Sequence, residues 1–164
     1  MSFRAIIISN GAKDPKGMST LMEAYLKHEG FSVSGLLESN HTQLLGDLEK
    51  AVADHALIVV VGGTFVGLKE NSPEILQSWS DCHLPGFGEL MRFETVQNGF
   101  TTYMQRSGAW VKGQVLAIAV PANTKAALDH IKVLGPLMMK TVKAMSGESQ
   151  EANPNVIEVS PSLN

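Results

Sequence analysis

The sequence predicts an α/β fold, a three-layer α/β/α sandwich built on a mostly parallel sheet. Three observations predict it. Short, continuous apolar runs at Ala5–Ile8, Ala56–Val61 and Gln114–Val120 have the pattern of strands buried on both faces. Segments with apolar residues at helical spacing lie between them, the alternation that right-handed βαβ crossovers require. The strong runs stop abruptly at loop-forming residues, Ser9-Asn10-Gly11, Gly62-Gly63-Thr64 and Pro121.

Taken in order, Ala5–Ile8 is a buried strand, and Ser9 to Gly17 is a loop rich in breakers. Met18, Leu21, Met22, Tyr25 and Leu26 form one apolar helical stripe, ended by Gly30. Phe31–Leu37 alternates apolar and small polar residues, as a strand nearer the edge would. Asn40 and Gln43 have capping-box spacing ahead of a helix carrying Leu44, Leu45, Leu48 and Val52, with His41 exposed at its start. After Ala56–Val61, Ser72 is expected as an N-cap with Pro73 at N1. A further helix starts near Pro85 or Gly88 and runs to about Val96. Beyond the strand at Gln114–Val120, Asn123 or Thr124 caps a helix with Ala127, Ile131 and Leu134 on one face. Gly135-Pro136 breaks it, and Leu137–Met145 forms a new helix.

The chain of 164 residues reads as a single domain, 1–164, with 147–164 a loosely attached polar tail. At that length roughly 70% of the unfolded surface can be buried without disulfide or metal staples. With 13 Lys and Arg against 16 Asp and Glu, the net charge of -3 argues against nucleic acid as a partner. An anionic ligand would have to be held locally, by backbone amides and a few cations. No apolar run is long enough for a signal sequence or a membrane span, so a cytoplasmic protein is expected. Cys82 is the only cysteine, which excludes an internal disulfide and a multi-cysteine metal site. Its neighbour His83 does not make it a nucleophile, because adjacent residues point different ways and no orienting third group is evident.

In an open α/β sheet the ligand crevice lies outside the carboxyl ends of the strands. Three loops should therefore converge there: Ser9 to Gly17, Gly62 to Ser72, and Pro121 to Lys125. Gly62 and Gly63 permit positive φ and close backbone approach, and nearby amides can bind an anion. The phosphate loop G-x-x-x-x-G-K-[ST] and the dinucleotide fingerprint G-x-G-x-x-G are both missing, so the familiar nucleotide-binding modes are unsupported.

The order Gly62-Gly63-Thr64, then Glu70-Asn71-Ser72-Pro73-Glu74, then Pro85-Gly86-Phe87-Gly88-Glu89-Leu90-Met91-Arg92 resembles the MogA/MoaB/gephyrin G-domain family. That family shows G-G-T-G, an acidic residue shortly before [TA]-P-E, and P-G-F-G-E-x-x-R. Gln105-Arg106 resembles its S-R pair, and Pro121-Ala122-Asn123-Thr124-Lys125 its P-G-S-x-K turn. The likeness runs from about Arg4 to Lys143. It implies a molybdopterin-binding-domain-like fold, assembly as a homotrimer or hexamer, and a role in molybdenum cofactor biosynthesis. It also implies molybdopterin as substrate or ligand, adenylylated with Mg and ATP if the chain is catalytic. Carried over by position, the substrate-binding residues would be Ser9, Gly62, Gly63, Thr64, Ser72, Pro73, Glu89, Arg92, Arg106, Pro121, Asn123 and Lys125. Glu70 would be the catalytic carboxylate and a ligand for Mg.

Several positions depart from the family pattern. Glu70 stands where Asp is usual, moving the carboxylate out by one methylene, and Phe65 replaces the fourth Gly of G-G-T-G. Ala122-Asn123 replaces Gly-Ser, and Gln105 replaces Ser. The D-x-S-G of the first loop is here Lys16-Gly17-Met18-Ser19, and of the acidic P-D-[DE] segment only Glu38 offers a charge. These replacements keep an alternative in view: a non-catalytic molybdopterin-binding carrier, or a scaffold, that has lost adenylyl transfer. They also leave Glu89 and Arg92 open to a plainer role, as an i, i+3 surface ion pair.

Overall fold

The structure is a computed structural model and describes residues 2–148. The polar tail expected over 147–164 therefore lies almost wholly outside the described residues. A six-stranded sheet has the order β2-β1-β3-β6-β5-β4. Its strands are β1 (Arg4–Asn10), β2 (Ser32–Ser39), β3 (Leu57–Val61), β4 (Cys82–His83), β5 (Gly108–Lys112) and β6 (Val115–Val120). The helices are α1 (Pro15–His28), α2 (Leu44–Ala51), α3 (Ser72–Trp79), α4 (Pro85–Thr95), α5 (Thr124–Leu134) and α6 (Leu137–Ser146). β1 pairs in parallel with β2 and β3, and β3 with β6, while β5 and β4 add an antiparallel edge.

Two apolar clusters make this a three-layer sandwich. One packs Ile7, Val59 and Ile118 against Met18, Met22, Met91, Ile131 and Met138, from α1, α4, α5 and α6. The other packs Ile8, Val60 and Ala119 against Leu44, Leu48, Leu76 and Trp79, from α2 and α3. Alternate residues of β3 feed opposite clusters, which is why all five of its residues, Leu57–Val61, are buried. Each such side chain contributes about 1.5–3 kcal/mol by leaving water. β2, expected nearer an edge, is the edge strand and is mostly half-exposed.

Two local expectations are corrected, and two are met. α1 begins at Pro15, not Met18, because Asp14 acts as N-cap and accepts from the Gly17 amide at 3.2 Å. Ser72 is the first residue of α3 and Asn71 takes the cap position; the Ser72 hydroxyl is drawn instead into the loops described below. Asn40 caps the turn before α2, its Oδ1 accepting from the Gln43 amide at 3.0 Å. The Gln43 side chain answers with an oxygen to the Asn40 carboxamide at 3.0 Å. Gly135 ends α5 at φ +44, at the break expected from Gly135-Pro136. No helix among the described residues is long and apolar enough to cross a membrane.

Candidate functional site

Register brings the three expected loops to one rim. Ser9 stands opposite Val61, and Val61 opposite Val120, so β1, β3 and β6 end side by side. The strand order reverses between β1 and β3, which places the topological switch point at Asn10 and Gly62. Backbone bonds then knit the rim: Gly62 N–H to Val120 O at 2.9 Å, and Lys13 N–H to Ala122 O at 3.1 Å. The three loops anticipated thus meet at one rim.

The switch point itself is filled by the protein. Asn10 Nδ2 donates to Ser72 Oγ at 2.8 Å, and Ser72 Oγ donates to Gly62 O at 2.7 Å. Gly62 and Gly63 have φ of +104 and +72. A Cβ at Gly62 would fall on the Asn10 carbonyl oxygen, and one at Gly63 would lie 2.6 Å from Asn10 Nδ2. The close backbone approach that these glycines permit is therefore made to Asn10 and Ser72. Ser9, Asn10, Thr64 and Ser72 are all buried, and the Ser9 hydroxyl accepts from the Ala12 amide at 3.1 Å. Gly62, Gly63 and Pro121 are buried with them.

Open space lies outside this frame, in clefts that share Gln105. One, of about 660 Å³, is walled by Pro73, Arg92, Arg106, Tyr103 and Trp110. The other, of about 380 Å³, is walled by Thr102, Asn123, Lys125, Asp129 and His130. The Gln105-Arg106 pair divides them and is tied to the glycine loop. Arg106 N–H donates to Thr64 O at 2.7 Å, and Thr64 Oγ1 donates to Gln105 Oε1 at 2.8 Å. The Arg106 guanidinium donates to Phe65 O at 3.3 Å, to Glu70 O, and to the Glu74 carboxylate. Burial opposes ionisation of Glu74, but the Arg106 hydrogen bond, its own backbone N–H and the Arg106 charge outweigh it and hold the carboxyl below its ordinary value.

Lys125 and Asn123 sit at the first turn of α5, whose backbone N–H groups and dipole favour an anion. Asn123 Oδ1 accepts from the Ala126 amide at 3.2 Å, and Lys125 pairs with Asp129 at 2.8 Å. Glu89 is exposed and makes no ion pair with Arg92 among the described residues. Arg92 instead donates to Ser107 O at 2.7 Å, joining α4 to the start of β5. Both residues line a third cleft with Leu90, Phe93 and Tyr103.

Glu70 is half-buried, and its Oε2 accepts from the Phe65 amide at 3.2 Å. Among the described residues no group of three or more His, Cys, Asp or Glu could hold a metal ion. Glu70 therefore offers a cation one carboxylate, one oxygen of which accepts from the Phe65 amide. Phe65 is half-buried and belongs to neither apolar cluster. Cys82 is exposed at the sheet edge, and His83 stacks on Trp110 with ring centroids 5.1 Å apart.

Sequence reasoning did not single out Asn10, Gln105 or His130 as site residues. A signal existed for His130, a polar side chain on the apolar stripe of Ala127, Ile131 and Leu134. Asn10 also carried one, as the polar end of a buried strand at the switch point. Gln105 carried one only through the pair that resembles the family's S-R, where it stands in the place of Ser.

No family model matches the chain. Among curated relatives, the molybdenum cofactor biosynthesis bifunctional protein of Synechococcus elongatus is 29% identical over 101 residues, 61% of this chain and 32% of that protein. The molybdopterin adenylyltransferase of Helicobacter pylori is 28% identical over 102 residues, 62% of this chain and 58% of that one. The match thus spans about a third to three fifths of these relatives' length. Molybdenum cofactor biosynthesis protein B of Halalkalibacterium halodurans is 26% identical over 141 residues, 79% of this chain and 83% of that protein. Among solved structures, a Mog protein of molybdopterin biosynthesis from Mycobacterium ulcerans superposes with a TM-score of 0.80 at 22% identity, over 90% of this chain and 99% of that one. A molybdopterin biosynthesis protein from Mycobacterium abscessus gives 0.79 at 24%, over 89% and 98%. The fold is thus shared almost end to end with these solved structures, and the curated relatives named are molybdenum cofactor biosynthesis proteins; the P-G-F-G-E-x-x-R element, which resembles the MogA/MoaB family, opens α4.

Proposed function

We propose that this chain binds molybdopterin at the carboxyl rim of its sheet and serves molybdenum cofactor biosynthesis through that binding. The observation carrying this reading is the convergence of the loops after β1, β3 and β6 around a rigid frame, with open clefts on either side of Gln105-Arg106. With a net charge of -3, a phosphorylated pterin has to find cations locally. Lys125 at the start of α5, and Arg92 and Arg106 in the neighbouring cleft, supply them.

Adenylyl transfer to the pterin from Mg-ATP is the reaction this site would perform, as the name of the Helicobacter relative states for that protein. The donor set favours a second reading, a pterin-binding carrier or scaffold without transfer. Glu70, the carboxylate assigned to catalysis and to Mg, is bonded to the Phe65 amide. We further propose a homotrimer or hexamer, supported by the exposed aromatic side chains Phe93, Phe100 and Tyr103 near the clefts.

Incubating the pure protein with molybdopterin, ATP and Mg²⁺ separates the readings. Release of pyrophosphate above background establishes transfer. Tight pterin binding that neither needs nor consumes ATP establishes the carrier. Failure to bind molybdopterin at all rejects both.

A further inference from the structure

The cleft between the 101–105 turn and the start of α5 contains a histidine with an unspent nitrogen. His130 is 2% exposed, and its Nδ1 lies 2.7 Å from the Ala126 carbonyl oxygen. A carbonyl only accepts, so Nδ1 carries the hydrogen and Nε2 of the neutral ring is a bare acceptor. That Nε2 is buried and has no partner among the described residues, although His130 belongs to the cleft wall. Burial disfavours the imidazolium and Arg92 adds to the effect, while the Ala126 carbonyl and Asp129 oppose it without reversing the direction. A buried acceptor without a donor is destabilising, and such groups are retained where water or a ligand supplies the donor.

The other wall groups say which part of a ligand would face it. Asp129 is occupied by Lys125 and by the Asn98 side chain, and Asn123 Oδ1 by the Ala126 amide. Gln105 has its oxygen bonded to Thr64, which leaves its NH₂ as a donor. A phosphate oxygen would face Nε2 acceptor to acceptor, so the phosphate end of a ligand belongs with Lys125 and the α5 amides. An N–H-bearing edge belongs with His130.

We propose that His130 is a specificity-determining residue of this cleft, its Nε2 accepting a hydrogen bond from a ring N–H or amino group of a flat heterocycle. Resting on the pterin reading, this assigns His130 to the aminopyrimidine edge of molybdopterin. The test titrates wild type and His130→Leu with molybdopterin under anaerobic conditions. The ¹⁵N resonances of the histidine rings in the wild type are recorded alongside. His130→Leu should be at least as heat-stable without ligand, since the orphaned nitrogen is gone, and should bind the pterin about 10-fold more weakly. In the wild type, the Nε2 resonance of His130 should move on binding, a readout that needs no variant to fold. An unchanged affinity, or an unmoved Nε2 resonance in a protein that does bind, overturns the proposal and leaves the pterin reading standing. A wild type that does not bind molybdopterin ends both.

Discussion

Ser72 Oγ sits between Asn10 Nδ2 and Gly62 O, accepting from the first at 2.8 Å and donating to the second at 2.7 Å. One hydroxyl thereby joins the end of β1, the loop after β3 and the first turn of α3, at the point where the strand order reverses. Ser72 is fully buried, so water does not compete for either bond. The rim is consequently a fixed frame against which the clefts are built.

Ser72→Ala removes both bonds and leaves a buried amide donor and a buried carbonyl short of a partner. A loss of about 1–3 kcal/mol is expected, because the groups left behind still bear their desolvation. Urea denaturation measures it, as a lower midpoint at unchanged slope. A midpoint equal to that of wild type would mean that the frame does not depend on this hydroxyl.

The two kinds of glycine in the fold should respond differently to alanine. Gly113, in the turn between β5 and β6, has φ +58 and open space where a Cβ would go. Only the left-handed backbone opposes Gly113→Ala, at a cost of about 1–2 kcal/mol. Gly62 has φ +104, and its Cβ would meet the backbone oxygen of Asn10, which cannot swing aside as a side chain can. Gly62→Ala should add about 1–3 kcal/mol of overlap to the backbone strain. Thermal unfolding of the pair should therefore show Gly62→Ala losing clearly more than Gly113→Ala.

Much of this rim was legible in the sequence, for identifiable reasons. β1, β3 and β6 are buried on both faces, so their apolar runs are continuous, and Gly62-Gly63 and Pro121 mark their ends without ambiguity. Asn123 was legible as one of two candidate caps with Thr124, and it is Asn123 whose Oδ1 accepts from the Ala126 amide. β5 and β4 were missed because a five-residue and a two-residue edge strand leave too short a pattern to register. The 3₁₀ turns at Val96–Asn98 and Phe100–Met104 were missed because they carry no apolar period. Those turns deliver Gln105 to the clefts, so the partition between them was invisible to local pattern. The filling of the switch point by Ser72 was hidden for a different reason. Asn10 and Ser72 are 62 residues apart, and Ser72 ahead of a proline looks like an ordinary helix cap.

The Arg106–Glu74 pair makes a prediction about pH. The Glu74 carboxyl is lowered from 4.5 in the folded state, so folding gains from its ionisation. That gain is present above the unfolded value and disappears as pH falls through the lower folded value. With side chains 35% and 59% exposed, solvent screens the pair to about 0.2–1 kcal/mol. The stability difference between wild type and Glu74→Gln should be constant from about pH 6 to 8 and should shrink below about pH 4.5. Chemical denaturation across that range tests the sign: a difference that grows with acid would mean that Arg106 does not stabilise the charged form.

Phe93, Phe100 and Tyr103 are 71%, 85% and 57% exposed. Phe93 and Tyr103 also line one cleft, of about 580 Å³, together with Leu90. A contiguous apolar patch facing water is one mark of an interaction surface. If copies of the chain cover it, wild type should sediment at a multiple of the 17.6 kDa subunit mass. Phe93→Glu would place a charge in the covered surface, where desolvation opposes it, while leaving the subunit interior untouched. The variant should then sediment near the subunit mass with an unchanged circular dichroism spectrum. Tyr103 and Arg92 also wall the cleft beside Gln105, so dissociation would expose that cleft's outer lip and should weaken molybdopterin binding. A wild type found only at the subunit mass would remove the assembly, and with it any reason for the two effects to move together.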